Sequence, residues 1–263
     1  MTHFVSHAHI KVHLKDHILD LEIHRREKKN ALTNAMYQCL LDNILLAQQD
    51  SNIRVIYIHG QEDLFTSGND LQDLLQSKSS GAFTAFDFLK VIANCNLPIV
   101  AAVGGKAIGI GTTLLLHCDF VIAAENAQFQ LPFVNLGFSP EGASSYLLPL
   151  IAGSKLSNEL LMLGDFFESQ TALSAGIVND IFPQDQILSH AKQICTRLAE
   201  KPAQALQASK RLSKKHHLKT INDTIQEELE EFKMLLERPA AKEILQAFLE
   251  KRPPNRDLFN THE

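Results

Sequence analysis

The sequence predicts an α/β fold with one main core and a helical extension. Three observations predict it: an alternating pair of half-buried strands at the start, short apolar runs interleaved with helical periods, and a wholly helical pattern after about residue 184. A length of 263 residues sits near the upper limit for one hydrophobic core, which favours a single domain with an appended element.

The elements follow in order. Ile10, Val12 and Leu14 alternate with His9, Lys11 and His13, and Leu19, Leu21 and Ile23 alternate with Asp20, Glu22 and His24. Period two with one polar face marks half-buried strands, and Lys15-Asp16 supplies the turn. The same alternation sends His9, His13 and His24 to the solvent face, which argues against a metal site among the 12 scattered histidines. Thr33 caps a helix whose apolar positions are Met36, Leu40, Leu41, Ile44 and Leu45. Val55-Ile56-Tyr57-Ile58 is continuously apolar, as a strand buried on both faces would be. A second helix is expected over residues 83–93. Another buried strand, residues 98–103, runs into Gly104-Gly105 and a short helix over residues 110–117. Strands over residues 120–123, 127–131 and about 177–182 complete the set. Beyond them, Ile221, Ile225, Leu229, Phe232 and Leu236 recur at helical spacing, and Pro239 marks a break before a helix over residues 244–249. Helices this apolar on one face must pack on the core or on another subunit.

Composition narrows the function classes. Apolar residues make up 45% and charged residues 21%, ordinary for a folded soluble chain. Lys plus Arg number 25 against 30 Asp plus Glu, a net charge of −5, so no nucleic-acid partner is expected. No run approaches the roughly 18 apolar residues that cross a bilayer, so no membrane partner is expected either. Met1-Thr2-His3-Phe4 does not read as a signal peptide, and Asn260-Thr261-His262-Glu263 carries no peroxisomal, retention or prenylation signal. Cys39, Cys95, Cys118 and Cys195 form no CxxC pair and read as inert thiols in a reducing compartment. The expected setting is cytoplasmic.

Two glycine-punctuated turns follow buried strands: Phe65-Thr66-Ser67-Gly68-Asn69-Asp70-Leu71, and Gly104-Gly105-Lys106-Ala107-Ile108-Gly109-Ile110-Gly111. Each leads towards a helix and exposes backbone N–H groups that its own helix cannot satisfy. Converging, they would make a site for an oxyanion or phosphate; otherwise the glycines only serve tight turns. Neither turn is a Walker loop or a clean GxGxxG, so no nucleotide cofactor is indicated. In the segment from Pro132 to Tyr146 a single carboxylate, Glu141, stands among Phe133, Phe138 and Pro140. It is either a general base raised by desolvation or a helix-start Glu set against the dipole. The basic run from Lys210 to His217 reads as a solvated helix face or as a contact for phosphates or a neighbouring subunit, offset by Glu227, Glu228, Glu230 and Glu231.

On these motifs the chain resembles the crotonase superfamily, the enoyl-CoA hydratase/isomerase family, across residues 8–255. The resemblance is carried by Arg25-Arg26-Glu27-Lys28-Lys29-Asn30-Ala31-Leu32, the turns at Ser67 to Leu71 and Ala107 to Gly111, the segment Leu136 to Tyr146, and the tail Ala247 to Pro253. It implies a crotonase-like spiral of ββα units over residues 1–195. Residues 196–263 would then form a helical trimerisation region, in homotrimers or pairs of trimers. It further implies an acyl-CoA thioester substrate, with no cofactor beyond the CoA of the substrate. The N–H groups of Asn69 and Ile110 would form the oxyanion hole, Ser67, Gly68, Asp70 and Leu71 would line the thioester channel, and Lys28 to Ala31 would border the adenine or pantetheine arm. Residues 72–82 would shape the acyl pocket.

The family's hydratases add water with two glutamates, which fall here at Thr113 and Phe133. Neither can serve, so hydration is disfavoured. Ser67-Gly68-Asn69-Asp70-Leu71 together with Ser139-Pro140-Glu141-Gly142 is similar to the peroxisomal-type Δ3,Δ2-enoyl-CoA isomerases, whose single catalytic glutamate lies where Glu141 stands. The expectation is an isomerase that converts 3-enoyl-CoA to 2-trans-enoyl-CoA in fatty-acid β-oxidation. The alternatives are another crotonase-fold acyl-CoA enzyme, hydratase-like, and a non-catalytic acyl-CoA-binding module, which would have no need of Glu141.

Overall fold

The computed structural model describes residues 3–74 and 83–260. Strands β1 (Ile10–Lys15) and β2 (Ile18–Ile23) form the expected antiparallel hairpin. The turn is Asp16-His17, one residue later than the sequence indicated, because both residues adopt positive φ (51° and 65°). Two left-handed residues match the twist of the flanking strands. The alternation fails at the tip: Leu14, at the end of the edge strand β1, is 46% exposed.

Helix α1 (Asn34–Gln49) starts at Thr33, whose hydroxyl accepts from the Met36 amide at 3.3 Å. Strand β3 (Val55–His59), helix α2 (Thr84–Asn94) and strands β4 (Ile99–Val103), β5 (Lys106–Ile108), β6 (Phe120–Ala124) and β7 (Gln128–Gln130) follow close to their expected places. Between β5 and β6 lies α3 (Ile110–Thr113), continued as a tighter 3-10 turn over Leu114–His117. Helix α4 (Ser144–Asn158), a strand the sequence did not signal, β8 (Phe166–Glu168), helix α5 (Ser169–Ser174) and β9 (Asp180–Phe182) complete the core.

Two sheets result. The larger runs β1-β2-β3-β4-β6-β9, parallel from β2 onwards, and the smaller runs β5-β7-β8. Residues of β3 and β4 are almost wholly buried, as continuous apolar runs require when both faces are covered. Strands that leave one sheet to build the next turn of a second give the spiral of a crotonase-type α/β fold.

Helices α6 (Ile187–Ala199), α7 (Ala203–Lys214), α8 (Leu218–Leu236) and α9 (Pro239–Glu250) form the helical C-terminal region. All five apolar positions read on α8 are buried, against α2 and α4. Pro239 opens α9 at its first position, where a missing N–H costs nothing, so the helix begins earlier than residue 244. The basic run is no solvated face at Lys210, which is 7% exposed and donates to Asp119 and to the Leu97 carbonyl, both at 2.6 Å. Glu228 is likewise buried rather than offsetting surface lysines. All four cysteines are free, and Cys39, Cys95 and Cys195 are buried. Among the described residues no helix is long and apolar enough to cross a membrane.

Candidate active site

The two glycine turns lie side by side. The Thr66 amide donates to the Lys106 carbonyl at 2.9 Å, and the Ile108 amide donates to the Thr66 carbonyl at 3.1 Å, a short parallel ladder between the turns. Gly68 has φ +86°, and a Cβ there would stand 2.5 Å from the Ile108 carbonyl oxygen. Only glycine permits both the conformation and the approach. The Thr66 hydroxyl donates to the Asn30 carbonyl at 2.7 Å and accepts from the Gly68 amide at 3.1 Å, fixing the first turn internally. Asn30 is itself buried and donates to the carbonyls of Ile23 and Phe65.

Within this frame the amides of Asn69 and Ile110 are among those left over. The Gly68 carbonyl and Asp70 amide are both taken by Leu32, while the Asn69 amide between them meets no acceptor among the described residues. Ile110 is the first residue of α3, so its N–H has no acceptor in that helix. The Asn69 side chain is held by the Tyr37 hydroxyl, which donates to its Oδ1 at 2.6 Å. Arg25 pairs with Asp70 at 2.7 Å. Burial pushes the Asp70 carboxyl up, but the Arg25 contact and the Gln72 and Asp73 amides outweigh it and hold the group below its ordinary value.

Glu141 sits in the turn ahead of α4 and is 1% exposed. Among the described residues its Oε1 has no hydrogen-bond partner. Burial, and secondarily the charge of Glu228, pushes its pKa from 4.5 to about 8. The next two residues are left-handed, Gly142 (φ +70°) and Ala143 (φ +56°), and the Gly142 carbonyl faces His117 Nε2 at 2.8 Å. Burial, then Lys214, lowers the His117 pKa to about 3, so the ring is neutral and carries its proton on Nε2. Thr113, where the family's hydratases place a glutamate, is buried against Gly142 with an unpartnered hydroxyl.

Glu141 and the two turns meet in one cleft of about 720 Å³. Lys28, Ala31, Ser67, Gly68, Asn69, Asp70 and Leu71 all line it, as does Phe133 at the second hydratase position. Ile110 does not: its side chain is fully buried, and its neighbour Gly109 forms the wall. Sequence reasoning missed Lys106, Phe248, Leu249 and Lys251, which line the same cleft, and with Lys28 and Lys29 bring four ammonium groups to it. A cleft with cations, an apolar wall, free amides, the Arg25-paired Asp70 and the unpaired carboxyl of Glu141 fits a polyanionic carrier attached to an acyl thioester. The expected acyl-pocket stretch lies, from residue 75 onwards, outside the described residues.

Comparison with known proteins agrees with this geometry. The chain belongs to the enoyl-CoA hydratase/isomerase family, whose profile matches residues 13–257. It is 32% identical over 240 residues to 2,3-dehydroadipyl-CoA hydratase of Escherichia coli, covering 90% of this chain and 94% of that protein. It is also 32% identical over 221 residues to enoyl-CoA delta isomerase 2 of Rattus norvegicus, covering 80% of this chain but only 56% of that longer protein. Among solved structures, an enoyl-CoA hydratase/isomerase from Pseudoalteromonas atlantica superposes with a TM-score of 0.89 at 38% identity, covering 94% of this chain and 99% of that one.

Proposed function

We propose that this enzyme moves the double bond of a 3-enoyl-CoA to give the 2-trans-enoyl-CoA of fatty-acid β-oxidation, with Glu141 as the single acid–base group. The observation that carries the reading is a buried carboxyl, Glu141, on a cleft where Phe133 stands at one hydratase position, while Thr113, at the other, is buried behind Gly142. A 1,3-proton shift needs one base. Glu141 takes a proton from C2, the electrons of that C–H bond pass to the thioester oxygen, and the dienolate is reprotonated at C4 by the same group. The double bond then lies between C2 and C3, with no net oxidation and no co-reactant. The amides of Asn69 and Ile110 meet the oxyanion, each worth on the order of 3 kcal/mol where such donors have been removed. The lysines at the cleft would take the CoA phosphates.

Glu141→Gln is expected to lose about 10²–10⁴-fold in kcat with CoA binding kept. Asn69→Ala loses far less, because its donor is main chain. Little or no hydration of crotonyl-CoA is expected. Near-normal turnover by Glu141→Gln, or hydration as fast as isomerisation, would overturn the reading. Association into trimers is part of the same proposal. Leu150, Ile151, Met162 and Leu163 are exposed apolar groups of the kind an interface covers, and sedimentation as a monomer at micromolar concentration would count against it.

A further inference from the structure

Positions 221, 225, 228, 232 and 236 of α8 follow the three-and-four spacing of a buried seam, and four of the five are apolar. The fifth is Glu228, 5% exposed. A carboxylate in such a seam is costly unless its oxygens are fully used. Here they are. Glu228 Oε2 accepts from the Ala143 amide at 2.6 Å, and Oε1 accepts from the Ser145 amide at 3.1 Å and the Ser145 hydroxyl at 2.6 Å. The two amides are orphan donors of the first turn of α4, where the helix dipole favours an anion. Both can only donate, which suits an ionised carboxylate. The Glu228 backbone carbonyl also accepts from the Ser139 hydroxyl at 3.3 Å. One residue therefore fastens the loop at Ser139 and again at Ala143 and Ser145, with Glu141 midway between.

We propose that Glu228 is a positioning residue for this enzyme: it pins the turn that presents Glu141 to the cleft and holds a fixed negative charge behind the base. The inference rests on the reading of Glu141 as the base. The other titratable groups around the pair do not supply that charge. Tyr37, from α1, is buried and held neutral by desolvation, then by the charges of Glu141 and Asp73. His117 is neutral, with Lys214 and Lys210 behind it. Asp73 shares a small pocket with Tyr37, Asn69 and Glu141, yet the charge that acts on Glu141 is that of Glu228; Glu227 is the neighbour of Glu228 on α8. Burial raises the Glu228 carboxyl above its ordinary value and the Glu227 charge adds to this, while the contacts from Ser145 and Ala143 hold the rise down and are donors that suit its ionised form.

The test is Glu228→Gln and Glu228→Asp beside the parent enzyme, with two readouts. Difference infrared spectroscopy titrates the Glu141 carboxyl, its band identified by loss in Glu141→Gln. The pH profile of kcat/KM for one 3-enoyl-CoA gives the second. A base must be unprotonated, so the parent's kcat/KM rises through the Glu141 midpoint. In Glu228→Gln that midpoint falls by about one pH unit in both readouts, since a like charge has gone. Its kcat falls at least about ten-fold while KM hardly moves, because misplacing a base costs turnover rather than binding. Glu228→Asp keeps the charge on a shorter arm, so its midpoint stays near the parent's while kcat still falls. A folded Glu228→Gln enzyme with the parent's midpoint and kcat would overturn the proposal. So would Glu228→Asp with the parent's kcat, which decides the matter should the glutamine variant not fold. An absence of 3-enoyl-CoA turnover in the parent would sink the isomerase reading alone, and the infrared titration would still report whether Glu228 governs Glu141.

Discussion

Replacing Glu141 by glutamine should make the protein more stable as well as less active, and only on the alkaline side. The folded state holds this carboxyl's pKa at about 8 against an ordinary 4.5. Between those values the folded chain keeps a proton that the unfolded chain has released, so the native enzyme loses stability as pH rises from about 4.5, and the loss levels off above about 8. At about 1.4 kcal/mol per unit, the penalty is about 3 kcal/mol at pH 7 and about 5 kcal/mol above pH 8. Glutamine does not ionise and carries none of it. Its amide brings a buried N–H₂ to a place where Glu141 Oε1 has no partner, which takes back about 1–2 kcal/mol. The net gain is then on the order of 3–4 kcal/mol at pH 8.5, vanishing or reversing at pH 5. Urea unfolding of both proteins at the two pH values, at one protein concentration, measures it. A difference that is the same at pH 5 and pH 8.5 would show that the carboxyl is not held protonated by its surroundings, and the argument for a basic Glu141 would go with it.

Gly68→Ala should lower kcat by about 10²-fold or more, because the new Cβ would lie 2.5 Å from the Ile108 carbonyl and force apart the two turns that carry the free amides. Gly109→Ala meets no atom within 4 Å and suffers only the strain of φ +57°, so stopped assays of the two variants should rank them in that order. Lys210→Met should cost about 3 kcal/mol, read as a lower urea midpoint with unchanged slope, since it leaves the half-buried Asp119 without its cation.

The parts of this molecule that could be read from the chain are those where one residue type answers to one constraint. Continuous apolar runs at Val55 and Ile99 can only be strands covered on both faces, and Thr33 can do little at its position but cap α1. The placing of Gly68, Asn69 and Glu141 on one cleft was legible because its cues are local: a glycine turn with an unaccepted amide, and an acid in apolar company. Glu228 was misread because charge was counted by composition rather than by register; its place in the α8 seam was the available signal. Lys106 and Lys251 were missed for a different reason. They are exposed lysines like many others, and only the folding of β5 and α9 to the same cleft distinguishes them. The strand at Phe166–Glu168 is three residues long and owes its existence to pairing with β7, which no local pattern records.

The ladder between Thr66 and the β5 strand separates two tasks in this chain. The distance between the free amides is set by main-chain hydrogen bonds and by glycines, so the grip on a thioester proposed for them would not depend on which side chains stand at positions 69 and 110. On the proposed reading, what happens to the substrate would depend instead on where a carboxyl is mounted, at 141 here, with Phe133 on the wall and Thr113 behind Gly142 at the alternative positions. If that reading holds, chemistry could be exchanged like a tool in a chuck, by moving one acidic group between positions around the cleft, while the paired turns and their amides are left untouched.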